Sequence, residues 1–96
     1  MVVIYGDIRV RADKVAEIAK LAGPCVAEVH KEEGCLAYEL SWDVANPGRL
    51  LLLEHWADEA SYEAHRAQPH VAAWAKAIGP AAETKLATTK LTATPR

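Results

Sequence analysis

The chain has 96 residues, a formal net charge of −2 and 51% hydrophobic residues. That length suits a single domain, residues 1–96, whose last few residues form a frayed tail. Acids and bases are interspersed, which argues against a nucleic-acid groove, and no apolar run reaches the roughly 18 residues of a membrane span. The opening MVVIYGDIRV carries no basic leader and reads as a first strand, so a cytoplasmic location is expected. Cys25 and Cys35 are then expected as free thiols, too few for a structural zinc set.

Val2 to Val10 alternates as a strand. Val2, Ile4, Ile8 and Val10 share one face; Val3, Tyr5, Asp7 and Arg9 share the other. A helix follows with Asp13 as its expected N-cap and apolar positions Val15, Ile18, Ala22, Cys25, Val26 and Val29. Gly23-Pro24 predicts a kink or a division into two helical pieces, and Gly34 a stop.

Cys35 to Trp42 alternates again, with Leu36, Tyr38, Leu40 and Trp42 on one face. The turn residues Asp43 to Gly48 lead into Arg49–Trp56, which makes an antiparallel hairpin. Leu50 to Leu53 is apolar on both faces, as in a strand covered on both sides. Acidic Asp58-Glu59 opens a helix carrying Tyr62 and His65, and Pro69 breaks it. A second helical piece runs from His70 to about Ile78, and Gly79-Pro80 ends it. Thr84 to Thr94 reads as a last strand.

The order β-α-β-β-α-β predicts an α+β, ferredoxin-like fold: a four-stranded antiparallel sheet with its helices on one face. The other face would be bare in a monomer, so a homodimer packing two sheets together is expected.

In Glu33-Gly34-Cys35-Leu36-Ala37-Tyr38-Glu39-Leu40, Pro47-Gly48-Arg49, Leu52-Leu53-Glu54-His55-Trp56, Asp58-Glu59-Ala60, Ala64-His65 and Pro69-His70, the chain resembles the antibiotic biosynthesis monooxygenase domain family, of the dimeric α+β barrel superfamily. The resemblance implies one pocket per subunit between sheet and helices. It also implies oxidation of quinols or polyphenolic aromatics by molecular oxygen, with no flavin or metal cofactor. A heme-degrading branch of the superfamily uses an asparagine, a tryptophan and a histidine iron ligand. This chain departs from that branch, with Asp7, His65 and Ala75 near those positions.

His65 is the foremost candidate for the base that takes a phenolic proton, because imidazole exchanges protons near neutral pH. Its bland alternative is a helix histidine bonded to a neighbour. Asp7 would orient His65 or anchor a substrate hydroxyl; otherwise it pairs with Arg9. Tyr5, Tyr62 and Trp74 are candidate walls for an aromatic substrate, with Trp56 and His70 as further substrate contacts. Core packing is the alternative for the aromatics, and a cap or hinge role for His70. Glu54 needs a partner within an apolar strand, with Arg49 or Lys85 available. His30 suits a helix C-terminus. The four histidines show no His-x-x-x-His spacing, so no metal site is expected. A non-catalytic, small-ligand-binding dimer of the same fold is the rival reading.

Overall fold

A computed structural model describes residues 1–94. Strand β1 (Val2–Arg9) leads through a short 3-10 turn into helix α1 (Val15–His30). Strands β2 (Cys35–Trp42) and β3 (Arg49–Trp56) form the hairpin. Helices α2 (Glu59–Arg66) and α3 (Pro69–Ile78) follow, and strand β4 (Ala87–Thr92) ends the fold. The strands form one antiparallel sheet in the order β2-β3-β1-β4. This is the ferredoxin-like arrangement that the element order predicts.

The alternation of β1 sorts its side chains as expected. Val2, Ile4, Ile8 and Val10 are buried beneath the helices, whereas Tyr5 lies on the open face and is 47% exposed. The register pairs Ile4 with Glu54 and Ile8 with Leu50, which places Leu50, Leu52, Glu54 and Trp56 on the helix side too. Leu51 and Leu53 share the open face with Tyr5 and Asp7.

Two apolar clusters form beneath the helices. One gathers Ile8, Val10, Ile18, Leu50 and Ile78; the other gathers Val2, Ile4, Val29, Tyr38 and Trp56. Trp56 is fully buried, and a core tryptophan of this kind is worth about 3–5 kcal/mol against alanine.

Several local expectations are corrected. Asp13 does not cap α1; it sits in the 3-10 turn and pairs with Arg11. Pro24 lies inside α1, which runs as one helix from Val15 to His30, so it does not divide the segment into two pieces. Leu36 does not join the inner face of β2. The pairing with β3 shifts between Cys35 and Ala37, and Leu36 is left 59% exposed at that bulge. The last strand is shorter than expected, and all its residues are exposed.

The helix ends follow simpler rules. Asp58 caps α2 by accepting a hydrogen bond from the Ser61 amide at 2.8 Å. Pro69 occupies the first turn of α3, where its missing N–H has no partner to lose. Gly34 has φ +81°, and a Cβ there would overlap the Ser61 hydroxyl. The turn leaving α1 therefore packs directly on the start of α2.

We expect Gly34→Ala to destabilise the fold by about 2 kcal/mol or more, from left-handed backbone strain plus the displaced Ser61. A fall in the thermal midpoint of roughly 8 °C or more, read by circular dichroism, corresponds to that loss for a domain this size. An unchanged midpoint would mean that the contact with α2 is loose.

Candidate functional site

A cavity of about 240 Å³ opens between the sheet and the two later helices. Its lining draws on both apolar clusters, Ile8, Leu50 and Ile78 from one and Ile4 and Tyr38 from the other. Tyr62 and Trp74 form the helical wall, and Leu40 and Leu52 extend the floor. Glu54 and His65 are the buried polar groups of this apolar lining.

His65 sits on α2 and is 4% exposed. Its ring lies 4.5 Å from the Trp56 ring and 5.6 Å from the Tyr38 ring, centroid to centroid. Nδ1 is 3.0 Å from Glu32 Oε2 and 3.2 Å from Oε1. A carboxylate only accepts, so Nδ1 carries the proton and donates it. Nε2 then faces Glu54 Oε1 at 3.4 Å. That same oxygen accepts a 2.9 Å hydrogen bond from Trp56 Nε1.

Burial pushes the Glu54 carboxyl up from its ordinary range, while the Trp56 N–H and His65 pull it back. Burial also raises the Tyr38 hydroxyl, with nearby Cys25 and Glu54 adding to the rise, and so keeps it protonated. Tyr62 is raised in the same way, chiefly by desolvation, although Arg66 and Lys90 lie over its ring at 5.8 and 5.1 Å.

Of the residues singled out in the sequence, His65, Tyr62 and Trp74 meet at this cavity. His70 lies on its far side. Its Nε2 donates to Glu32 Oε2 at 2.7 Å, and its ring borders a shallow groove with Leu21, Pro24, Cys25 and Trp74. Trp56 supports His65 from the core instead of lining the cavity.

Tyr5 and Asp7 occupy the opposite face of the sheet, so Asp7 does not orient His65. Asp7 accepts a 2.6 Å bond from Arg49 Nε, not from Arg9, and Arg49 also reaches Asp43 at 2.9 Å. Arg49 is thus engaged elsewhere, and Glu54 takes Trp56 and His65 as its partners. His30 does close α1, but it also bonds the Tyr38 carbonyl oxygen at 2.9 Å across to β2.

Glu32, which the sequence pattern does not single out, holds the place expected of Asp7. A signal was present. An acid just past a helix C-terminus is disfavoured by the helix dipole, so Glu32 needs a compensating partner. Two histidines supply it. Together Glu54, His65, Glu32 and His70 form a continuous polar chain from the cavity to the surface groove. The arrangement can fix one imidazole tautomer and stabilise a positive charge on the ring.

Solved structures similar to this one include a candidate antibiotic biosynthesis monooxygenase from Deinococcus radiodurans. It is 29% identical, with TM-score 0.92, covering 100% of this chain and 95% of that one. A conserved protein from Methanosarcina mazei Go1 is 26% identical with TM-score 0.89, covering 94% of this chain and 89% of that one. Among curated proteins, YcnE of Bacillus subtilis, named as a candidate monooxygenase, is 31% identical over 70 residues, 73% of this chain and 74% of YcnE. An uncharacterised Synechocystis protein is 28% identical over 69 residues; the match spans 72% of this chain but only 47% of that protein. The family model for antibiotic biosynthesis monooxygenase matches residues 1–77, and the chain belongs to that family.

Proposed function

We propose that the protein is a cofactor-independent monooxygenase that oxidises a quinol or related polyphenol with molecular oxygen. The observation that supports this reading is a buried imidazole, fixed by a carboxylate at Nδ1 and lining, with Glu54 beside its Nε2, a cavity with aromatic walls. At about 240 Å³ the cavity lies below the roughly 300–1,000 Å³ of drug-sized sites, which suits one or two fused rings.

In this reading the quinol hydroxyl gives its proton to His65 Nε2. The imidazolium so formed lies between Glu32 and Glu54, and both acids stabilise it. The resulting phenolate is electron-rich enough to pass an electron to oxygen. Overall one oxygen atom is bonded to a ring carbon, and the quinol is oxidised to a hydroxyquinone. The other oxygen atom leaves as water with the two released hydrogens. The substrate supplies every electron, so the balance requires no external reductant. Trp74 and Tyr62 serve as flat walls that hold the ring plane.

The same reading makes the protein a homodimer joined through the open sheet face. Leu51 and Leu53 lie there, as do Tyr5 and Leu91, which are 47% and 48% exposed. It also places the protein in the cytoplasm, where free thiols such as Cys25 and Cys35 stay reduced. Among the described residues, no helix is long and apolar enough to cross a membrane.

One observation favours a second reading, a non-catalytic dimer that binds a small aromatic ligand. Glu54 stands 3.4 Å from Nε2, near the position a substrate hydroxyl would take. In that case ligands raise the thermal midpoint but are not turned over.

Oxygen consumption with a panel of reduced quinols separates the two. We expect saturable uptake that falls by about 100-fold or more in His65→Gln, since a positioned base contributes about 10²–10⁴. Glutamine can still hydrogen-bond Glu32, so the variant is expected to stay folded. Uptake at the uncatalysed rate with every quinol, alongside ligand-induced stabilisation, would favour the binding dimer. For the assembly, sedimentation should give twice the 10.4 kDa chain mass, and Leu53→Asp should yield monomers. A monomeric wild-type protein would contradict the proposed interface.

A further inference from the structure

We propose that Glu32, His65 and His70 form a site for a divalent transition-metal ion of the zinc class. One ligand atom from each lies within 4.8 Å of the other two. The three groups come from the turn after α1, from α2 and from the first turn of α3. His65 and His70 meet across the break at Pro69, so a helical His-x-x-x-His rule passes over them.

Two imidazole nitrogens and one carboxylate oxygen match the ligand set of an open zinc site, with the fourth position left for water or an exogenous group. Calcium and magnesium take oxygen ligands and fit this set poorly. Zinc bonds of about 2.0–2.2 Å put tetrahedral ligand atoms about 3.3 Å apart. Glu32 Oε2 lies 2.7 Å from His70 Nε2 and 3.0 Å from His65 Nδ1. The ion would replace the two ring protons, and the three ligand atoms, which lie within 4.8 Å of one another, would settle at that spacing around it.

Charge is the independent reason for a cation here. The Glu32 and Glu54 side chains are only 9% and 7% exposed. Among the described residues their charged partners are histidines, with no lysine or arginine. Glu32 is thus a buried carboxylate without a fixed cation, beside a second buried acid, and such a group needs positive charge or donors nearby. A dication supplies it without protonating either ring. The His70 side chain, 21% exposed at the groove between α1 and α3, gives an ion a way in.

The consequence for activity rests on the monooxygenase reading. Coordination through Nδ1 leaves the remaining ring proton on Nε2, facing Glu54. His65 then donates toward the cavity and cannot take a substrate proton. The bound ion acts as an inhibitor and competes with the proton that Nδ1 otherwise gives to Glu32.

The test is calorimetric titration of zinc chloride into the chelator-treated full chain, with His70→Ala, Glu32→Gln and a His55→Gln control on the open sheet face. We expect one ion per chain, binding weakened tenfold or more in the first two variants, and unchanged binding in the control. Cobalt(II) gives a readout on the unaltered protein, because a four-coordinate site absorbs strongly in the visible and the aquo ion weakly. No heat above dilution, equal affinity in His70→Ala, or an aquo-type cobalt spectrum would each overturn the proposal. Binding is read here without turnover, so its failure is separate from failure of the monooxygenase assay.

Discussion

The buried pairing of His65 with Glu32 is the constraint around which the rest of the site is arranged. It joins the turn after α1 to α2, while the same histidine faces Glu54 on β3. Each of these groups would be costly to bury alone, and together they satisfy one another. Among the described residues no buried side-chain nitrogen or oxygen lacks a hydrogen-bond partner. The aromatic surroundings matter as much as the polar contacts. Trp56 and Tyr38 pack against the ring at tilted angles and keep water away from it. Trp56 also fixes Glu54 through its indole N–H. A polar chain enclosed in this way has one low-energy arrangement, and so the imidazole is presented to the cavity in one orientation.

The fold serves this arrangement by dividing labour between the two faces of the sheet. The inner face carries the apolar clusters and the cavity between them. The outer face carries Tyr5, Leu51 and Leu53 beside an Arg49 network tied to Asp7 and Asp43. Site chemistry and surface for assembly are thus separated by one layer of backbone. Gly6 helps hold that layer together, since a Cβ there would overlap the Ala87 carbonyl of the adjacent strand. Across the sheet edge, Lys90 of β4 reaches Glu59 at the start of α2. That exposed pair adds little stability by itself, but it closes the sheet against the helical layer.

Much of this was legible in the sequence because the relevant signals are local. Alternation sorted β1 into Val2, Ile4, Ile8 and Val10 against Tyr5 and Asp7, and those groups do face opposite ways. Gly34, Asp58 and Pro69 marked element boundaries through backbone rules that need no tertiary information. His65 among aromatics was visible for the same reason. The choice of face was harder, because β3 is apolar on both sides and Leu50 to Leu53 does not say which side the helices cover. The expectation for Asp7 therefore fails, because Asp7 lies on the other face of the sheet. Glu32, His65 and His70 are adjacent only after α1 and the later helices pack, and no spacing rule spans such a distance. Helix-dipole physics marked Glu32 as an acid in need of a partner, but not which partner.

Glu32 accepts the Nδ1 proton of His65, which leaves Nε2, beside Glu54, as the ring atom able to take a substrate proton. Nitrogen-15 NMR of the imidazole rings in chelator-treated protein at mildly alkaline pH tests it most directly. We expect a protonated Nδ1 and an unprotonated Nε2 for His65, with Nε2 perturbed when a quinol analogue binds. A His65 ring protonated at Nε2 and bare at Nδ1 would contradict it.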